Sequence, residues 1–311
     1  MSIGTFLNPG HLTSFEMRLL PTSFCRTILF VGNPMPSEPS WGLKVIRAHQ
    51  HLAAITKLVD RIAGDSPRPI RVAERHEAGR WSYTAHSDLV IDPMLAVIIG
   101  EFLYDLRSAL DHIAAANVPA ERIGVSQFPI FTEDIWQPVP DATDAGRVKG
   151  QRGQWNRWTT GMPPAIVNLI KDMQPYQNAS KYSSNPDNHA LAILNEYQNA
   201  DKHRELNITS LLIDDPRATV TWPTGHRDEI DYRNATPEML LREGGTCFDS
   251  DVPVKVDLNG TVRIAMARSS DTDHRELPRS LVEIFDTVGD FLARIEDAMP
   301  SHADPSGEAP G

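Results

Sequence analysis

A chain of 311 residues with 41% hydrophobic, 23% charged and 7% aromatic residues has the length for one large domain or two modest ones, and its composition excludes collagen-like, coiled-coil and wholly disordered proteins. Thirty basic residues against forty-one acidic ones leave a net charge of −11, so the average field repels nucleic acid and other polyanions and any RNA contact has to be local. Two cysteines, Cys25 and Cys247, exclude a disulfide framework and a four-cysteine zinc site. No apolar run approaches the ~18–20 residues of a membrane-spanning helix, and a reduced, cytoplasmic setting without a membrane partner is expected.

In chain order, residues 1–40 are rich in proline, with one short apolar run at Thr27–Gly32, too short and too far along the chain to be a secretory signal. They are expected to be a disordered arm or an upstream extension outside the fold. Trp41–Ala63 repeats apolar residues at helical spacing up to Gly64. Ile70–His86 alternates around Glu77-Ala-Gly and predicts a strand hairpin. Asp92 as N-cap and Pro93 at the first position open the strongest helix, running to about Asn117.

Phe128–Gly161 reads as loop. Pro163-Pro164 opens a helix to about Gln174, and Pro186 another to about Glu205. The period then changes to two: Leu206–Ile213 and Ala218–Trp222 read as strands, and Val252–Asp257 with Thr261–Ala267 as a hairpin turning at Leu258-Asn-Gly. A last amphipathic helix spans Pro278–Met299, and residues 300–311 have the composition of a disordered tail. Helices on both sides of a block of strands, without regular alternation, predict an α+β fold. The expectation is one domain over 41–299: mainly helical with a β-hairpin over 41–205, then mostly antiparallel strands and a C-terminal helix over 206–299.

Three clusters carry the candidate chemistry. On the Pro93–Asn117 helix, Leu95, Ile99, Phe102, Leu106, Ala109, Leu110 and Ile113 form the apolar stripe. At ~100° per residue, Arg107 and Asp111 lie to one side of it and Asp105 and His112 to the other. The second cluster closes the Pro186 helix: Asn199, Asp201, Lys202, His203 and Arg204, whose cations suit the negative end of the helix dipole. The alternatives for it are a salt-bridged network to Glu101, Asp105 and Asp111, or a share with Arg107 and His112 in one anion pocket. The third is Arg147–Trp158, with Arg147, Lys149, Arg152 and Arg157, two tryptophans and no acid. It suits a local single-stranded RNA surface, with Arg152 on phosphate and Trp155 stacking, or else a solvated loop whose tryptophans enter the core. Possible carboxylate–histidine ligands on two helices lack metal-site spacing, so no metal and no cofactor is expected.

The string Arg107-Ser-Ala-Leu-Asp-His112 resembles the arginine–polar–x3–histidine signature of the HEPN superfamily. Among four Arg/His pairs with four to six residues between them, the others being Arg71/His76, Arg80/His86 and Arg268/His274, it alone sits on a helix with a capped start. The resemblance implies a HEPN-like helical bundle, a homodimer, and metal-independent RNA cleavage with His112 as acid–base group, Arg107 as phosphate clamp and Ser108 as the motif's polar residue. Histidine moves protons near neutral pH and arginine offsets phosphorane charge, so the residue types fit that chemistry. In addition, the order LRSALDH, FPI, QPY and DKHR over 41–204 resembles a group of bacterial proteins in which LRSALDH and DKHR recur as a pair. Two functions stay open: a HEPN-like RNA-cleaving or RNA-binding protein, with Asp111, Asn199, Lys202, His203, Arg204, Arg152 and Trp155 on the substrate, or a non-enzymatic interaction or scaffold protein whose clusters are structural salt bridges.

Overall fold

A computed structural model describes residues 39–63, 70–87, 89–138, 142–177, 185–203, 208–232, 244–267 and 274–299. The expectations for residues 1–38 and for the tail beyond 299 lie outside the described residues. In order the elements are helix α1 (Ser40–Ala63), strands β1 (Ile70–Glu77) and β2 (Arg80–Ser87), helices α2 (Met94–Ala116), α3 (Ala142–Thr159), α4 (Pro164–Asp172) and α5 (Ala190–His203), strands β3 (Ile208–Thr221), β4 (Arg227–Asp231), β5 (Thr246–Ser250), β6 (Lys255–Ala267) and β7 (His274–Glu276), and helix α6 (Arg279–Ala298). All strand pairs are antiparallel, and the α+β class predicted from the sequence holds.

The chain divides into two compact units, each assembled from separate stretches. One comprises the chain up to Ile46, Asp105–Asn195 and the chain from Glu283 on; the other comprises Arg47–Tyr104 and Glu196–Val282.

Among its described residues the first unit is helical. The buried stripe Leu106, Ala109, Leu110 and Ile113 of α2, Ile166 and Ile170 of α4, and Val288, Phe291, Leu292 and Ile295 of α6 make its core. Phe128, on the connection after α2, meets Phe291 edge to face with ring centroids 4.9 Å apart. Helix α3 replaces the loop expected there. Gly146, Gly150 and Gly153 and a largely polar sequence hide it, but Val148, Trp155 and Thr159, spaced by seven and four, are its buried side.

The second unit carries two sheets, in strand order β1-β2-β5 and β4-β3-β6-β7. Asp92 caps α2 as expected, its Oδ1 accepting the Met94 N–H at 3.0 Å. The hairpin expected at Asn259-Gly260 is absent. β6 runs straight through it because β3 is long enough to pair both halves, Arg217–Thr221 with Lys255–Asn259 and Ile208–Asp214 with Thr261–Met266, and the extra residues go into two irregularities in β3, between Thr209 and Leu212 and between Asp214 and Arg217. The reversal lies instead between β3 and β4, where Gly225 (φ 83°) closes a turn with its N–H on the Trp222 carbonyl at 2.9 Å.

Candidate functional site

Arg107 is committed to the protein's own backbone. Its side chain is 11% exposed, Nη2 donates to the Phe128 carbonyl at 2.8 Å, and Nε and Nη2 reach the Asp111 carboxylate one turn along at 3.3 and 3.1 Å. Asp111 Oδ1, the oxygen that Nη2 reaches, also accepts the Phe128 N–H at 2.9 Å. Arginine and aspartate thus grip both polar groups of one residue that leaves the helix and folds back across it. This helix-surface pair at i, i+4 is geometrically favoured, and the bonds carry charge assistance, each worth ~1.5–3 kcal/mol.

The grip continues through Gln174, just beyond α4. This side chain is wholly buried; its Oε1 accepts the Phe131 N–H at 2.9 Å and its Nε2 donates to the carbonyls of Pro129 and Ile170, both at 2.9 Å. Phe128, Pro129 and Phe131 are themselves buried, so these backbone groups have no water to fall back on. The strings LRSALDH, FPI and QPY therefore meet in one clamp: the first and third supply the side chains and the second supplies the backbone they hold.

The flank on the other side of α2 is likewise engaged. Asp105, 2% exposed, pairs with Lys44 of α1 at 2.9 Å. His112 is half-buried, with Nδ1 3.1 Å from the Ser40 hydroxyl at the start of α1 and Nε2 3.4 Å from the Ser108 hydroxyl. Arg107 and His112 share a helix, but the guanidinium turns to Phe128 and the imidazole to Ser40. The expected convergence of the two on a phosphodiester is not what their hydrogen bonds describe.

The remaining sequence expectations divide. Asn199 is exposed on α5, while the side chains of Lys202 and His203 and the whole of Arg204 lie outside the described residues, as does any grouping of them with Arg107 and His112. Asp201 lies against Gly100 of α2, so close that a Cβ at Gly100 would stand 2.6 Å from its Oδ1. The network expected from Asp201, Lys202 and Arg204 to the acids of α2 involves side chains outside the described residues; among the described residues Asp105 pairs with Lys44, Asp111 with Arg107, and Glu101 lies 3.6 Å from His51.

In the basic stretch, Trp155 is 4% exposed and packs against Phe131 and Trp136, with centroids 6.4 and 6.0 Å away. Its expected role in stacking bases is corrected: at that burial the indole has no free face. Arg152 donates to the carbonyls of Ile135 and, at 3.2 Å, Gln137, and Arg147 pairs with Glu133 and Asp144. Two of the four cations counted as phosphate contacts are thereby tied, since nothing in the sequence spacing revealed the acids and carbonyls that meet them. Among the described residues no three histidine, cysteine, aspartate or glutamate side chains gather as a metal site would require, and no helix is long and apolar enough to cross a membrane.

Sequence reasoning passed over Lys44 and Ser40, which take the polar flank of α2, and it gave Gln174 no role. A lone glutamine at the end of the apolar helix α4, directly ahead of a proline, is the signal that marked it. Compared with protein-family models, curated proteins and solved structures, the chain matches none.

Proposed function

We propose that the protein is a non-enzymatic interaction protein, in which the arginine, aspartate and histidine of α2 are structural. One observation carries this reading: the Arg107 guanidinium is nearly buried and bound to Asp111 and to the Phe128 carbonyl, so docking a phosphate there means breaking the clamp. A catalytic arginine is held ready for charge that develops in the reaction; this one is already neutralised. The engagement of His112 with two serine hydroxyls points the same way.

The competing reading, metal-independent RNA cleavage by a HEPN-like dimer, supplies the test. Purified protein is incubated with a mixed RNA pool in chelator, beside His112→Ala and Arg107→Ala. The expected outcome is no cleavage by any of the three, together with a loss of about 2 kcal/mol of stability in Arg107→Ala, because the Phe128 carbonyl and the Asp111 carboxylate lose their donor. Cleavage by the wild type that disappears in His112→Ala, with Arg107→Ala melting like the wild type, overturns the proposal in favour of the nuclease.

A further inference from the structure

Asn259 is the one asparagine of the chain that a glycine follows. The carboxamide of an asparagine is open to attack by the backbone nitrogen of the next residue, and glycine, with no Cβ, hinders that attack least. The freedom that makes Asn-Gly a turn former therefore also makes it a point of backbone chemistry, and the fold decides whether that chemistry runs.

Here β6 holds both residues extended. Asn259 is exposed and stands in register with Arg217, and Thr261 with Asp214. Between those pairs Gly260 alone stands against Asp215 and Pro216 of β3, a two-against-one irregularity. Gly260 takes φ 154° there, a value that a residue with a Cβ rarely adopts, so the strand itself requires the glycine. On the edge away from β3, β7 covers only Ala265–Ala267. Among the described strands, the ladder to β3 is thus what keeps Lys255–Asn259 straight. Attack on the carboxamide needs the Gly260 nitrogen to eclipse the Asn259 Cβ about the Cα–C bond, and extended backbone, with ψ about +135°, holds the two apart.

We infer that Asn259-Gly260 is a self-modification site, held shut by the β3–β6 ladder and reacting whenever β6 opens. The Gly260 nitrogen bonds to Cγ of Asn259 and gives up its proton; the carboxamide C–N bond breaks, and ammonia leaves with that proton. Water then opens the five-membered imide at either carbonyl. One opening leaves aspartate. The other leaves isoaspartate, whose main chain runs through Cβ and is one atom longer at the junction between the two paired halves of β6. Arg217–Thr221 and Ile208–Asp214 then no longer both find their partners, so a chain that has reacted while open stays out of the native pairing. The inference is independent of the interaction reading: it concerns how long the fold lasts, whatever it binds.

Full-length protein is aged in native buffer and, in parallel, in urea at the same pH and temperature. Peptides spanning Asn259 are scored by mass spectrometry, and isoaspartate by enzymatic methylation. Loss of Asn259 is expected to be at least tenfold faster in urea. After dilution from urea, unreacted chains should regain hydrogen-exchange protection across Lys255–Met266, and chains carrying isoaspartate should not. Asn259→Gln, whose longer side chain forms the ring reluctantly, should refold after the same ageing. Fresh Asn259→Asp should fold like the wild type, which separates the added charge from the added backbone atom. Equal rates in the two solvents, or faster loss in native buffer, overturn the inference. So do isoaspartate chains that recover full protection, and so does a fresh Asn259→Asp that fails to fold, which puts the damage in the charge. The rate ratio needs no refolding, so the test stands even if the wild type refolds poorly.

Discussion

Two stretches of irregularly or singly paired backbone meet opposite fates in this molecule. Phe128–Phe131 belongs to no sheet, yet side chains from three places satisfy it: Arg107, Asp111 and Gln174 take the N–H and carbonyl of Phe128, the carbonyl of Pro129 and the N–H of Phe131. Lys255–Asn259 belongs to a regular strand, yet one of its edges has no strand against it among the described residues. The difference teaches where to look for activity in an unfamiliar fold. The arginine of the string that looks most like a catalytic motif is used to close backbone, and the strand edge without a partner strand among the described residues carries no such motif.

Hydrogen exchange tests the comparison most severely. In the free protein the Phe128 and Phe131 amides should exchange roughly a thousandfold more slowly than the outward amides of 255–259, equivalent to about 4 kcal/mol in opening free energy. Equal rates would dissolve the distinction. Next in size, Gln174→Leu keeps the volume but strands the Phe131 N–H and two carbonyls in the core, so urea unfolding should show a loss of about 3 kcal/mol. Asp111→Asn keeps an oxygen for the Phe128 N–H while removing the charge beside Arg107; calorimetry should find a loss of about 1 kcal/mol, about a third of the Gln174 effect.

The smallest effect concerns protons. His189, 7% exposed, precedes α5, and its Nδ1 accepts the Leu191 N–H at 3.2 Å while its carbonyl accepts from Ile193 at 3.0 Å. Burial holds its pKa below the usual histidine value near 6.5, so the unfolded chain takes up the proton first. Stability should therefore be full above about pH 6.5 and decline as the pH falls below it. His189→Asn retains an acceptor at the cap but not the titration, and melting curves between pH 5 and 8 should show the slope reduced.

The first and last helices, the first hairpin and the Asp92 cap were legible from the sequence because each rests on local periodicity or capping chemistry, which tertiary context did not override. Helix α3 was not, since its three glycines and its polar surface leave only Val148, Trp155 and Thr159 to mark the buried side. The Asn259-Gly260 turn failed for the converse reason: its local preference is real, but pairing with the long β3 satisfies more backbone than a hairpin would. Of the candidate site, the polar flanks of α2 were foreseeable from angular arithmetic, whereas the partners that decide their role, the Phe128 carbonyl and the hydroxyl of Ser40, are distant in sequence and carry no spacing signal.

Gly100 sits where the side chain of Asp201 leaves room for a hydrogen and nothing larger. The two helices that bear the LRSALDH and DKHR strings are thereby geared at one tooth. Any larger residue at position 100 is a wedge whose first displacement falls on the Asp201 carboxylate, so the spacing of the two helices at this point is set by the absence of a side chain.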